Sequence, residues 1–114
     1  MGTEALEPVL AAFARGELTG VADRFSEDAT YREARKAPIR GRSAIAAEFT
    51  RYAASRTVWR FEVDEVIAGT DRACVVYRFA LPGGEGEPWR ERAGCATVRF
   101  DARGQIAEWR EYEG

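Results

Sequence analysis

Residues Gly94–Phe100 read Gly-Cys-Ala-Thr-Val-Arg-Phe, and Gln105–Tyr112 read Gln-Ile-Ala-Glu-Trp-Arg-Glu-Tyr, with Asp-Ala-Arg-Gly between them. Two alternating runs around a short polar segment predict a β-hairpin, with Gly104 at the turn position that needs a positive φ. Ala96, Val98 and Phe100 share one face of the first strand. On the return strand Ala107, Trp109 and Glu111 alternate with Glu108, Arg110 and Tyr112. A carboxylate at Glu111 on the face of Trp109 points to a lined pocket rather than a plain core.

Upstream of the hairpin the same period of two continues. Arg72–Leu81 places Val75, Tyr77 and Phe79 on one face. Thr57–Ala68 places Trp59, Phe61 and Val63 inward and Arg60, Glu62 and Asp64 outward, and its slip at Val66-Ile67 reads as a β-bulge. Gly69-Thr-Asp is a turn, and Pro82–Pro88 a loop. The N-terminal part has helical spacing instead. Leu6, Val9, Leu10 and Phe13 form a stripe within Glu4–Arg15, with Thr3 as N-cap and Gly16 as stop. A second short helix is expected over Leu18–Phe25, a turn at Ser26-Glu-Asp, and a short strand over Ala29–Glu33 with Tyr31 and Glu33 on one face. After a loop anchored by Ile39, Ser43 caps a helix over Ala44–Ser55 whose stripe is Ile45, Phe49, Tyr52 and Ala53. Helices followed by hairpin-connected strands predict an α+β fold. Helices packed on a curved antiparallel sheet leave an open end where a small-molecule cavity forms.

The 114 residues suffice for one domain spanning 1–114, and 46% hydrophobic with 32% charged residues is ordinary globular material. A net charge of −2 gives no electrostatic drive toward nucleic acid. No apolar run approaches the ~20 residues of a membrane span, and no signal peptide is apparent, so a cytoplasmic setting without membrane contact is expected. The chain has no histidine. That removes the commonest general base near neutral pH and the commonest metal ligand. Cys74 and Cys95 cannot build a zinc site alone and read as small half-buried strand residues. No dinucleotide, phosphate-loop or nucleophile-elbow pattern occurs. No metal or cofactor is expected, and carboxylates and phenols must carry any chemistry.

The inward positions converge on one aromatic-walled site. Glu33 is the first candidate for general base, because a carboxylate desolvated among rings has its charged form disfavoured. Glu111 is the second. Tyr31 and Tyr77 are candidate donors to a substrate oxygen, with Arg90 and Arg92 beside them for an anionic group. Phe49, Tyr52, Trp59, Phe61, Phe79 and Trp109 supply walls for a flat or cyclic apolar ligand. Each has a plainer reading: Glu33 in an ion pair with Arg35, Arg90 or Arg92, Glu111 at a solvated strand end, the tyrosines as satisfied core.

Three signatures, Phe25-Ser-Glu-Asp-Ala-Thr-Tyr-Arg, Gly41-Arg-Ser-Ala-Ile and the closing Val98-Arg-Phe…Gly104-Gln-Ile-Ala-Glu-Trp-Arg-Glu, resemble the nuclear transport factor 2-like superfamily. The chain looks closest to its SnoaL-like members, with ketosteroid isomerase more distant. The resemblance implies a cone-shaped α+β fold, a curved mixed or antiparallel sheet packed by N-terminal helices around a deep apolar cavity, often as a homodimer. It places the catalytic aspartate of ketosteroid isomerases at Glu33. The positions of their oxyanion donors fall near Val9 and Ala96, so both donors are absent and steroid isomerisation is not expected. Three readings stay open: an acid/base enzyme of isomerase, cyclase or epoxide hydrolase type acting on a cyclic or polyketide-like molecule; a carrier using the same cavity; and a dimeric interaction module with a filled cavity.

Overall fold

The computed structural model describes residues 4–114. Its helices are α1, Leu6–Arg15, and α2, Arg42–Ser55; its strands are β1, Phe25–Arg32, β2, Ile39–Arg40, β3, Arg60–Ala68, β4, Arg72–Leu81, β5, Arg90–Phe100, and β6, Ile106–Glu113. The strands form one six-stranded sheet in the order β2-β1-β6-β5-β4-β3. β3 to β6 are antiparallel neighbours, but β1 pairs with β6 in parallel, which makes the sheet mixed. This is the α+β fold expected from the order of helical and alternating segments.

α1 buries Leu6, Val9, Ala12 and Phe13, one face of a 3.6-residue period. Gly16 ends it at φ 69, and its amide bonds back to Ala12 and Phe13, the left-handed cap that glycine adopts without cost. Phe13 is the hub beneath the sheet, meeting Phe49, Phe61 and Trp109 edge-on at centroid distances of 6.0, 5.6 and 5.4 Å. Trp109 is fully buried, with Phe25, Ile45 and Ile106 beside it in the core. The final hairpin turns at Gly104, φ 81, and Asp101 caps the turn by accepting from the amides of Arg103 and Gln105.

Several boundaries differ from the sequence reading. Only Val21–Arg24 of the second segment is helical, as a single 3₁₀ turn. The Ser26-Glu-Asp triplet is strand, not turn: Phe25 pairs with Ile106, and the register shifts between Phe25 and Thr30. That irregular stretch lets polar Glu27 and Asp28 stay exposed inside a strand. β1 ends at Arg32, which leaves Glu33 one residue beyond it. Ile39 belongs to β2 rather than to a loop and pairs with Tyr31. α2 begins at Arg42, before Ser43, and its N-cap is Gly41, whose amide bonds instead to the Ala29 carbonyl at 2.7 Å. β3 starts at Arg60, so Trp59 precedes the strand.

The bulge in β3 also sits earlier than expected. Val63 faces Tyr77 and Glu65 faces Val76, so Asp64 is the extra residue. Asp64 and Glu65 therefore both point outward, and Val66 and Ile67 take opposite faces. Val63 shares the inner face but is 38% exposed. Thr3, the expected cap of α1, lies outside the described residues.

Candidate functional site

An open cavity of about 400 Å³ lies between the concave face of the sheet and the helices. β5 shapes it. The inward residues of this strand run Phe100, Val98, Ala96, Gly94, and then Arg92 and Arg90. Phe100, Val98 and Ala96 are buried. Their shrinking volume opens the floor, and the arginines mark the mouth.

Eleven of the twelve residues expected at the site line this one cavity: Tyr31, Glu33, Phe49, Tyr52, Trp59, Phe61, Tyr77, Phe79, Arg90, Arg92 and Glu111. Trp109 does not. It lies fully buried below the floor, and its indole N–H donates to Glu111 Oε2 at 3.0 Å. Trp109 therefore positions a carboxyl rather than walling a ligand. Trp59 reaches the cavity from its loop because its Nε1 donates to the Phe13 carbonyl at 2.8 Å.

The carboxylates occupy three different environments. Glu33 accepts from the Tyr52 hydroxyl at 2.8 and 2.9 Å and from Lys36 Nζ at 3.4 Å. Lys36 also donates to the Tyr52 oxygen at 3.1 Å, closing a triangle. A turn in which Lys36 N bonds to Glu33 O, with Arg35 at φ 64, folds the ammonium back over the carboxylate. The ion-pair partner of Glu33 is thus Lys36 and not Arg35, Arg90 or Arg92. In that triangle Tyr52 bonds a carboxylate as well as lining the wall.

Glu113 is the second carboxylate. Tyr77 donates to it at 3.1 Å, and Arg35 and Arg92 approach it at 3.8 and 3.7 Å. Burial pushes the Tyr77 hydroxyl well above the ordinary phenol range, reinforced by Glu111 and Glu113. Glu111, the third, stands between these clusters. Burial, then the charges of Glu33 and Glu113, push it up to about 7 despite the bond from Trp109. The solvated strand-end reading of Glu111 is thereby set aside. Tyr31 faces it with its hydroxyl unbonded among the described residues and driven up by burial and by Glu111 and Glu33.

Glu113 and Lys36 escaped the sequence reading. Glu113 continues the Trp109–Glu111 alternation, so period two marked it in principle. Nothing local marked Lys36, which reaches the site through the left-handed Arg35.

A family model described as SnoaL-like domain matches residues 6–109. The chain belongs to the SnoaL-like family. No curated protein matches it by sequence. Among solved structures it is similar to SalBIII, titled as an epoxide hydrolase/cyclase-like enzyme in pyran ring formation in the polyether salinomycin. Identity is 16%, coverage 99% of this chain and 90% of that one, and the TM-score 0.80. It is also similar to the structure of an LEH-like epoxide hydrolase of M. tuberculosis, at 21% identity, 99% and 82% coverage and a TM-score of 0.81. At these identities the likeness establishes the SnoaL-like, nuclear transport factor 2-like fold.

Proposed function

We propose that this SnoaL-like protein is an acid/base enzyme that opens a C–O bond of a small apolar molecule, as an epoxide hydrolase or an epoxide-opening cyclase. The observation that carries this reading is Glu111, a half-buried carboxyl on the wall of an aromatic cavity, held by the Trp109 indole and pushed up to about 7 by desolvation. A general acid or base works best when its pKa lies near the working pH. The two enzymes named above share the fold and are epoxide hydrolase or cyclase types.

In this mechanism protonated Glu111 gives its proton to the epoxide oxygen as the C–O bond breaks. The unbonded Tyr31 hydroxyl supplies a second donor to the developing alkoxide. Water, or a hydroxyl of the same substrate, attacks the carbon and releases its proton to Glu33, which Tyr52 and Lys36 hold in one orientation. The proton returns to Glu111 through solvent. Water as nucleophile gives a diol, and an internal hydroxyl gives a cyclic ether.

The test is turnover of 1-methylcyclohexene oxide followed by chiral gas chromatography. The reading expects diol formation whose kcat/KM falls above pH 7 as Glu111 loses its proton, and a loss of at least ~100-fold in Glu111→Gln. Tight uptake of cyclic epoxides without turnover would instead favour a carrier. The reading keeps the chain as a homodimer joined through outer sheet faces, where Val76, Cys95 and Tyr112 lie in one cross-strand row beside Cys74. Sedimentation equilibrium checks that part.

A further inference from the structure

The charges around the cavity do not balance, and one cation has no partner at all within the described residues. Lys36 is matched by Glu33 at 3.4 Å. Glu113 serves two guanidiniums, Arg92 at 3.7 Å and Arg35 at 3.8 Å. Glu111, pushed up to about 7 by burial, is largely uncharged in mildly acidic solution. Arg90 lines the mouth of the same cavity and makes no hydrogen bond, ion pair or ring contact within the described residues. Its strand neighbour across the pair is Leu81, which offers no charge. The protonated site therefore carries two positive charges in excess: one is shared by Arg35 and Arg92 over Glu113, and the other is the Arg90 guanidinium, which has no partner within the described residues.

We infer that Arg90 receives an anionic group of the substrate, so that the natural substrate is an elongated apolar acid bound with its carboxylate at the mouth and its reacting end against Glu111. This rests on the proposal that the cavity is the substrate site, and it adds what kind of molecule enters. Two further features support it. The wall between the two ends carries Phe61 and Phe79, and its polar groups, Tyr77, Arg92 and Glu113, are already joined to one another. Length is the second: Glu111 pairs with Ala96, which lies about 20 Å along β5 from Arg90 at ~3.4 Å per residue. A ligand that touches both side chains is therefore elongated, with a body of the order of 10 Å or more between its ends. A guanidinium presents paired donors that match a carboxylate, which a neutral amide does not satisfy.

Binding separates this inference from the catalytic reading, because it requires no turnover. The probes are 4-biphenylcarboxylate and 4-biphenylcarboxamide, equal in shape and differing in charge, titrated against the intact protein at pH 6.5 by tryptophan fluorescence. The acid is expected to bind about tenfold more tightly than the amide, with the preference shrinking in high salt. Arg90→Gln is expected to abolish the preference while leaving amide affinity and thermal stability unchanged. Equal affinity of the two probes for the wild-type protein overturns the inference and leaves the acid/base reading standing. Loss of the preference in Arg92→Gln but not in Arg90→Gln overturns the assignment to Arg90. Failure of both probes to bind overturns the cavity as a site for such ligands, and the inference with it.

Discussion

Tyr77 and Glu113 lie on strands that do not touch, and the phenol reaches the carboxylate across Gly94 at 3.1 Å. Tyr77, Gly94 and Glu113 form one cross-strand row. A Cβ on Gly94 would stand 2.5 Å from the Tyr112 carbonyl oxygen, 2.8 Å from Glu113 Cγ and 3.0 Å from the Tyr77 hydroxyl. The absence of a side chain is what lets the phenol and the carboxylate meet. Gly94→Ala is expected to destabilise the protein by about 1–3 kcal/mol through overpacking. Urea unfolding measures it, and a midpoint equal to wild type would refute the tight fit.

Glu111 makes stability depend on pH. Its folded value of about 7 lies above its ordinary value of 4.5, so the native state holds a proton that the unfolded chain has released. Stability from this group is full below pH 4.5, declines as pH rises toward 7 and is flat above. The linked free energy is of the order of 3 kcal/mol. Glu111→Gln, which keeps an acceptor for Trp109, is expected to flatten that decline and to melt above wild type at pH 8. A pH-stability curve unchanged by the substitution would remove Glu111 from this role.

Tyr52 couples Lys36 to Glu33. The bond from the ammonium to the tyrosine oxygen is the largest cause holding Lys36 above the ordinary lysine range. Tyr52→Phe is expected to bring the Lys36 titration down toward the ordinary value, followed by NMR of the side-chain amine. An unshifted titration would show that the direct pair with Glu33 suffices.

Arg35 has φ 64, a left-handed conformation in which a Cβ is unfavourable. Arg35→Ala loses the contact with Glu113 and keeps the strained backbone, whereas Arg35→Gly loses both. The glycine variant is expected to exceed the alanine variant in stability by about 1 kcal/mol. Equal stabilities would mean that the turn carries no strain.

The period of two was enough to place Tyr77, Phe79, Trp109 and Glu111 on one side of the sheet, and helical spacing put Phe49 and Tyr52 opposite them. Those contacts follow from local alternation, which the chain writes residue by residue. The parallel pairing of β1 with β6 was not written that way. Its irregular register keeps Glu27 and Asp28 exposed, so Ser26-Glu-Asp carries the polarity of a turn. The partners of Glu33 were hidden for a similar reason. They depend on the left-handed backbone of Arg35, and arginine gives no sign of such a conformation. The state of Glu111 needed the closed fold, since burial is its leading cause.

The sheet order also governs when the site comes into being. β6 is the last strand in sequence, yet it sits between β1 and β5, and it brings Glu111 and Glu113 with it. Tyr31 waits for Trp109 across an interval of about two-thirds of the chain. Until that strand enters, β1 has β2 alone as a neighbour, and the meander of β3 to β5 has an open edge. Loop closure over so long a separation is slow compared with hairpin formation. During synthesis the aromatic wall is therefore laid down first, and the carboxyls that face it arrive in the step that joins the two parts of the sheet.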